Sequence, residues 1–377
     1  MTSRAEIDLV VVGLGAVGCF ALNLATKMGY RAVGIDRYVS PHPHGSTHGE
    51  TRLIREAYSE GEQYVPLLRR SLELWRQYDT WTAEKIFYET GLQYIGDPND
   101  SHIQGVRGSA DVHSIPLTDL TTLSDNSGRI VVPDGWAHIS EPHGGYIKVE
   151  STLSAVNKLT GASGAAVLFN TEVKACNSVS NGIQLETSVG NVTARKVIFC
   201  GGPWARQILP FLEDYLSLER HTLHWFKDSN GLYSSASGFL PFVFHTNSDN
   251  YFYGFPTNPN GLVKVSEHAF GERFKDPHEI DRRIHRSDIQ HIEELCNKYL
   301  PQLDQVVHST TCMYTMTPDE HFIIDRHPEL TNAVYVAGLS GHGYKFAPAI
   351  AESLVNMVMD KELHTDLSHF QLSRFSR

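Results

Sequence analysis

Cysteine is scarce in this chain of 377 residues. Five occur, Cys19, Cys176, Cys200, Cys296 and Cys312, and no two are spaced as C-x-x-C. That excludes a closed zinc framework and a disulfide-stapled scaffold, and it suits a reducing compartment. Long apolar runs are missing too, and none approaches the roughly 20 residues of a membrane-spanning helix. The opening stretch Met1–Asp8 lacks an apolar signal region, and the closing Arg374-Phe375-Ser376-Arg377 is no peroxisomal address, so the sequence predicts a cytoplasmic protein. The sequons at Asn99 and Asn191 are accordingly read as chance. Excess positive charge is absent: 32 Lys and Arg stand against 43 Asp and Glu, a net −11. That argues against nucleic acid and against an anionic membrane surface as partners. Repeats and low-complexity tracts are absent as well. What remains is an ordinary globular composition, long enough for two or three domains.

The strongest local signal comes first in the chain. Leu9–Val12 is a continuous β-branched and apolar run, as expected of a strand buried on both faces. Gly13-Leu14-Gly15-Ala16-Val17-Gly18 follows, then a helical stretch Ala16–Met28, then a second strand Ala32–Ile35 ending in Asp36. This is G-x-G-x-x-G in a strand–turn–helix setting, with an acid roughly 20 residues on. Gly13 allows the tight turn, Gly15 lets the backbone approach a pyrophosphate, and Gly18 lets helix and strand pack closely. The helix N-terminus offers free N–H groups, and Asp36 accepts from ribose hydroxyls. The motif predicts a dinucleotide site without choosing between FAD and NAD.

Beyond it, the spacing predicts an amphipathic helix over Glu62–Thr80, a strand over Lys85–Ile95, a Gly- and His-bearing loop over His138–Tyr146 and a helix over Val149–Leu159. Strands are expected at Ala165–Asn170, Gly182–Thr187 and Lys196–Cys200. The stretch Leu218–His308 is aromatic and strand-rich, with strands at Phe242–His245, Asn250–Phe255 and Leu262–Ser266 and a helix at Ile289–Tyr299. An α/β pattern returns at the end: strands Phe322–Asp325 and Ala333–Ala337, a Gly-rich turn Gly338–Gly343 and a helix Phe346–Met359. A nucleotide domain that opens and closes the chain around a β-rich insertion favours FAD over NAD. The expected fold is α/β: a Rossmann-like FAD-binding domain from 1–80, 146–215 and 309–377, and an inserted antiparallel β-sheet substrate domain from 81–145 and 216–308.

Several segments resemble the monomeric sarcosine oxidase and N-methyltryptophan oxidase family. They are His44-Gly45-Ser46-Thr47-His48-Gly49-Glu50-Thr51-Arg52-Leu53-Ile54-Arg55, then Tyr253-Gly254-Phe255-Pro256, then Lys264 with His268, then the run from Cys312 to Asp325, and Gly338–Phe346. The resemblance implies FAD tethered through a thioether to Cys312, which fixes the ring and raises its potential. It implies Arg55 and Lys345 as the pair holding a substrate carboxylate, a planar fork and a point charge. Lys264 is implied beside the flavin N5, where a cation favours electron transfer to O₂. His268 and Tyr253 are implied to face the substrate amine, Arg52 to face the flavin, and His48 and Thr51 to sit in the loop covering it. Gly343 and Lys345 are implied at the flavin's pyrimidine edge, and Gly341 is implied to bind the cofactor.

A metal reading of His42, His44, His48 and Glu50 fits no closed zinc spacing, so none is expected. Two departures from the family pattern touch the substrate side: Ser59 stands where glycine is common, and Phe242–Tyr253 runs one residue long with His245 inside it. The implied activity is oxidation of a secondary amine of the N-methyl amino-acid type by O₂, in a monomer, giving the primary amino acid, formaldehyde and hydrogen peroxide. A cyclic or fructosyl amino acid as substrate, or a silent flavin-binding protein, are the alternatives.

Overall fold

A computed structural model describes residues 6–121, 128–247, 250–268 and 271–376. Its first sheet has eight strands. Five run in the order Gly190–Phe199, Ile7–Val12, Ala32–Ile35 and Ala166–Leu168, with Ala333–Ala337 pairing parallel to Gly190–Phe199 from the far end of the chain. Val173–Val179, Gly182–Thr187 and Ile323–Arg326 complete it through antiparallel pairs. Leu9, Val10 and Val11 are fully buried, as a strand covered on both faces requires. The helix Ala16–Lys27 is buried nearly all round and packs on the helices Val149–Ala162 and Ala347–Val358. Both chain ends thus build one α/β layer, the Rossmann-like fold expected.

The second sheet has nine strands and is antiparallel except at one place: Phe242–Phe244 pairs parallel with Gln93–Ile95. Its longest pairing, Ser217–Lys227 with Val306–Met316, lies at one end of the sheet, with Leu262–His268 on the other side of Ser217–Lys227. The boundary expected between residues 308 and 309 runs through Val306–Met316, which pairs entirely within this second sheet. A small third sheet joins Thr51–Ile54, Gly145–Lys148 and Phe87–Tyr88.

Several local expectations need correction. His138–Tyr146 is not a loop but the strand Ala137–Glu141, a turn and the start of Gly145–Lys148. Lys85–Ile95 is two strands in different sheets, Phe87–Tyr88 and Leu92–Gly96, broken at Gly91 with φ 83°. The helix Val65–Trp81 starts later than expected because Glu62–Tyr64 is a 3₁₀ turn leading into Pro66. The helix Ser101–His113 and the strand Val306–Met316 were not foreseen. Within Phe242–Tyr253, residues 248 and 249 lie outside the described residues. Among the described residues no helix is long and apolar enough to cross a membrane.

Candidate active site

The turn after the first strand forms as its glycines require. Gly13 has φ 87°, and a Cβ there would lie 2.3 Å from the Cys200 carbonyl oxygen; one on Gly18 would lie 1.8 Å from the Gly13 carbonyl oxygen. Only glycine lets this helix sit so close to the sheet. Asp36 is buried and accepts from the Leu14 and Tyr38 N–H groups at 2.6 and 2.8 Å. Gly13, Asp36, Tyr38 and Cys200 line a cavity of about 430 Å³. It runs from Gly13, Gly15 and Asp36 to Arg52, Gly341 and Gly343, so chain ends more than 300 residues apart share one wall. Gly18 packs behind the wall and does not line it.

Next to it lies a smaller cavity of about 50 Å³ lined by Arg52, Arg55, Tyr253, His268 and Lys345, with Tyr251 and His342. Arg52, Tyr314 and Gly341 border both. Arg52 donates to the Thr51 and Ser46 carbonyls at 2.9 and 3.2 Å and approaches Cys312 Sγ at 3.7 Å. Cys312 is buried in the middle of Val306–Met316, opposite His221. Gly341, at φ 78°, lets its backbone pass the Tyr314 ring, which a Cβ would meet at 2.4 Å.

Arg55 is 4% exposed and pairs with Glu60 at 2.5 Å, while Ser59 bridges the two at 3.2 and 2.7 Å. Burial works against both charges, yet each holds the other: the carboxyl stays well below its usual range and the guanidinium above its own. The loop carrying them hangs on Glu141, whose carboxylate accepts from the Glu56 and Ala57 N–H groups at 2.6 and 3.0 Å and from the Tyr94 hydroxyl at 2.7 Å. Lys345 faces the same cavity. Its carbonyl accepts from Ser71 and Trp75 of the helix Val65–Trp81, at 2.6 and 2.8 Å, and its Nζ donates to the His342 carbonyl at 2.8 Å. Burial and then Arg55 lower its pKa to about 7 against the opposing pull of Glu60.

Lys264 lines neither cavity. It is 2% exposed and donates to the Gly49 and Thr51 carbonyls at 2.6 and 2.7 Å, beneath the loop that carries His48. Burial, then Arg52, lowers its pKa well below the usual lysine range, while Glu50 and Glu150 oppose that shift. His268 stacks on Tyr251 with ring centroids 4.6 Å apart, and burial keeps it neutral at ordinary pH.

Among the described residues, the buried polar atoms His48 Nε2, Thr51 Oγ1 and Trp204 Nε1 have no hydrogen-bond partner; Trp204 lines the larger cavity, whereas His48 and Thr51 line neither. Buried polar atoms are normally paired, so a polar ligand fits beside Trp204 Nε1. The glycine cradle, the buried Asp36 carboxylate and the Trp204 N–H fit FAD. Residues that the sequence reading missed are Tyr58, Glu60, Tyr251 and His342. Glu60 stands five residues from Arg55, an available signal. Tyr251 and His342 reach the site only through sheet pairing and a remote turn.

Residues 8–357 match the model of the FAD dependent oxidoreductase family. The chain is 34% identical over 375 residues to the N-methyl-L-tryptophan oxidase of Salmonella dublin, covering 99% of this chain and 100% of that one. The solved structure of NikD, an unusual amino acid oxidase, superposes with a TM-score of 0.84 at 21% identity, covering 97% of each chain. Glycine oxidase from Geobacillus kaustophilus superposes with a TM-score of 0.81 at 17% identity, over 98% of this chain and 99% of that one. These matches span the whole length, both sheets and both cavities, and the protein belongs to the FAD dependent oxidoreductase family.

Proposed function

We propose that the protein oxidises the C–N bond of an N-methyl amino acid to an imine, with O₂ as the acceptor giving hydrogen peroxide, and that water hydrolyses the imine to the primary amino acid and formaldehyde. The observation that carries this reading is the pair of buried cations, Arg55 and Lys345, on one small cavity that shares Arg52 and Gly341 with the dinucleotide cavity. A carboxylate fits between a guanidinium fork and an ammonium, and it orients the α-nitrogen towards Tyr253 and His268. Kinship with N-methyl-L-tryptophan oxidase supports the substrate class. FAD, when bound, supplies the acceptor for a hydride equivalent and hands the electrons to O₂.

The chain's own groups do the rest. Gly13, Gly15 and Asp36 hold the dinucleotide, and Gly341 and Gly343 bring the backbone to the ring. His48 and Thr51 close the cover over it. His268, held neutral chiefly by burial, adds no charge of its own beside the amine. Lys264 places a cation where negative charge develops on oxygen; both its acceptors are carbonyls, which suit an ammonium. Cys312 carries the covalent tether to FAD. The division of the chain into a cofactor part (1–80, 146–215, 309–377) and a substrate part (81–145, 216–308) belongs to this reading, as do a cytoplasmic site of action and a monomeric state.

Peroxide release tests the proposal. FAD-loaded protein is offered N-methyl-tryptophan, sarcosine, pipecolate and a fructosyl amino acid. Preferred turnover of an N-methyl amino acid, with one formaldehyde per peroxide, is the expected result. Preference for pipecolate or the fructosyl compound replaces the substrate assignment, and no peroxide from any of them contradicts it.

A further inference from the structure

A hydrogen-bond chain leads away from Lys345, and its direction is fixed at the far end. His342 Nε2 lies 3.0 Å from the Glu320 carbonyl oxygen, and a carbonyl only accepts, so the ring hydrogen sits on Nε2. Nδ1 is then bare in the neutral imidazole. The Tyr58 hydroxyl, 2.6 Å away, must therefore donate to it. Burial keeps the imidazole neutral by lowering its pKa to about 4, and the same cause raises the Tyr58 phenol well above its ordinary range. With its only hydrogen turned to His342, the Tyr58 oxygen can only accept from Lys345 Nζ, 3.4 Å away. The His342 carbonyl, the second partner of Nζ at 2.8 Å, can only accept too. Every neighbour bonded to Nζ thus prefers a donor, which an ammonium satisfies better than a neutral amine.

We infer that His342 and Tyr58 are positioning residues that hold Lys345 as a cation aimed into the Arg55 cavity, by a one-way relay from Glu320 through His342 and Tyr58. The inference rests on the reading of that cavity as a carboxylate site. The relay opposes real forces: burial, Arg55 and Arg52 disfavour the Lys345 charge, and only Glu60 among the charged groups facing it helps. His268 and His342 face it as neutral rings. Removing the Tyr58 hydroxyl removes an acceptor. Removing His342 frees that hydroxyl to turn and donate to a neutral amine, which acts in the same direction.

The test is the pH dependence of binding of methylthioacetate to FAD-loaded protein, read from the perturbed flavin spectrum without turnover. In the wild type, affinity is greatest where Lys345 is charged and falls as pH rises through about 7. Tyr58→Phe and His342→Leu move that fall about one pH unit lower, which is roughly a tenfold weaker complex at pH 8. At pH 5.5, where Lys345 is mostly charged with or without the relay, their difference from wild type is smallest. His342→Gln keeps an acceptor for the Tyr58 hydroxyl and restores the wild-type profile. Profiles that superpose for wild type and Tyr58→Phe, which deletes one oxygen and keeps the fold, overturn the relay, as does His342→Gln shifting as far as His342→Leu. No binding to the wild type at any pH overturns the carboxylate reading and the relay with it.

Discussion

Arg55, on the wall of the smaller cavity, forms a 2.5 Å ion pair with Glu60 behind it, five residues apart on a loop pinned by Glu141. A ligand carboxylate entering there shares Arg55 with Glu60 or displaces it. Removing one partner of such a buried pair costs about 2–5 kcal/mol, much of it from the charge left behind. Arg55→Ala should therefore raise the dissociation constant of a carboxylate inhibitor by about 30-fold or more, measured by spectral titration. A change below about threefold would place Arg55 outside the binding site.

Lys264 separates the two half-reactions. On the proposed reading its charge acts where electrons reach oxygen, and loss of one preorganised group of this kind costs about 10²–10³ in rate. Lys264→Met keeps length and volume while removing the cation. Stopped-flow mixing of the reduced variant with O₂ should show slowing of that order, with anaerobic reduction by substrate affected far less. Equal slowing of both halves speaks for a general structural role instead.

The tether is checked by denaturation. Acid-precipitated wild-type chain should keep its yellow colour in the pellet, and Cys312→Ala should release all of it to the supernatant. A Cys312 peptide at its unmodified mass in flavin-loaded wild type would rule out the thioether.

Gly18→Ala tests the packing of helix on sheet. A Cβ 1.8 Å from the Gly13 carbonyl oxygen forces backbone apart, and overpacking of this sort costs about 1–3 kcal/mol. The melting temperature should fall and flavin retention on a desalting column of a Cys312→Ala background should drop. Unchanged melting would show that the helix moves freely.

The cofactor side was legible in the sequence because its logic is local. A strand, three glycines, a helix and an acid lie within 30 residues, and each glycine's conformation follows from its neighbours. The substrate side was legible only by resemblance. Lys264 sits on an alternating strand, where a lysine normally meets solvent; its burial arises from the loop Gly49–Thr51 closing over it, some 215 residues away. The strand holding Cys312 escaped notice because Val306–Met316 mixes Thr, His and Met with few large apolar side chains. The helix Ser101–His113 was hidden by Gly105 and Gly108, which lower its propensity. It forms because Asp100 caps it and Ile103, Val106 and Ala110 are buried. Gly105 has its own reason: a Cβ there would lie 2.7 Å from the Ser59 carbonyl oxygen, so the helix seats directly on the turn that holds Glu60 against Arg55. Ser59 is thus part of the clamp, bonded to both charges.

On the proposed reading, a carboxylate held by Arg55 and Lys345 presents an N-methylated α-amine for oxidation. Anaerobic mixing of FAD-loaded protein with N-methyl-tryptophan and, separately, with N-methyltryptamine tests it directly, since the two differ only in the carboxylate. The visible flavin band should bleach rapidly with N-methyl-tryptophan, and at equal concentration at least about 30-fold more slowly with the amine, the loss expected from about 2 kcal/mol of charge-assisted binding. Equal bleaching rates, or no bleaching with either compound, would contradict the account.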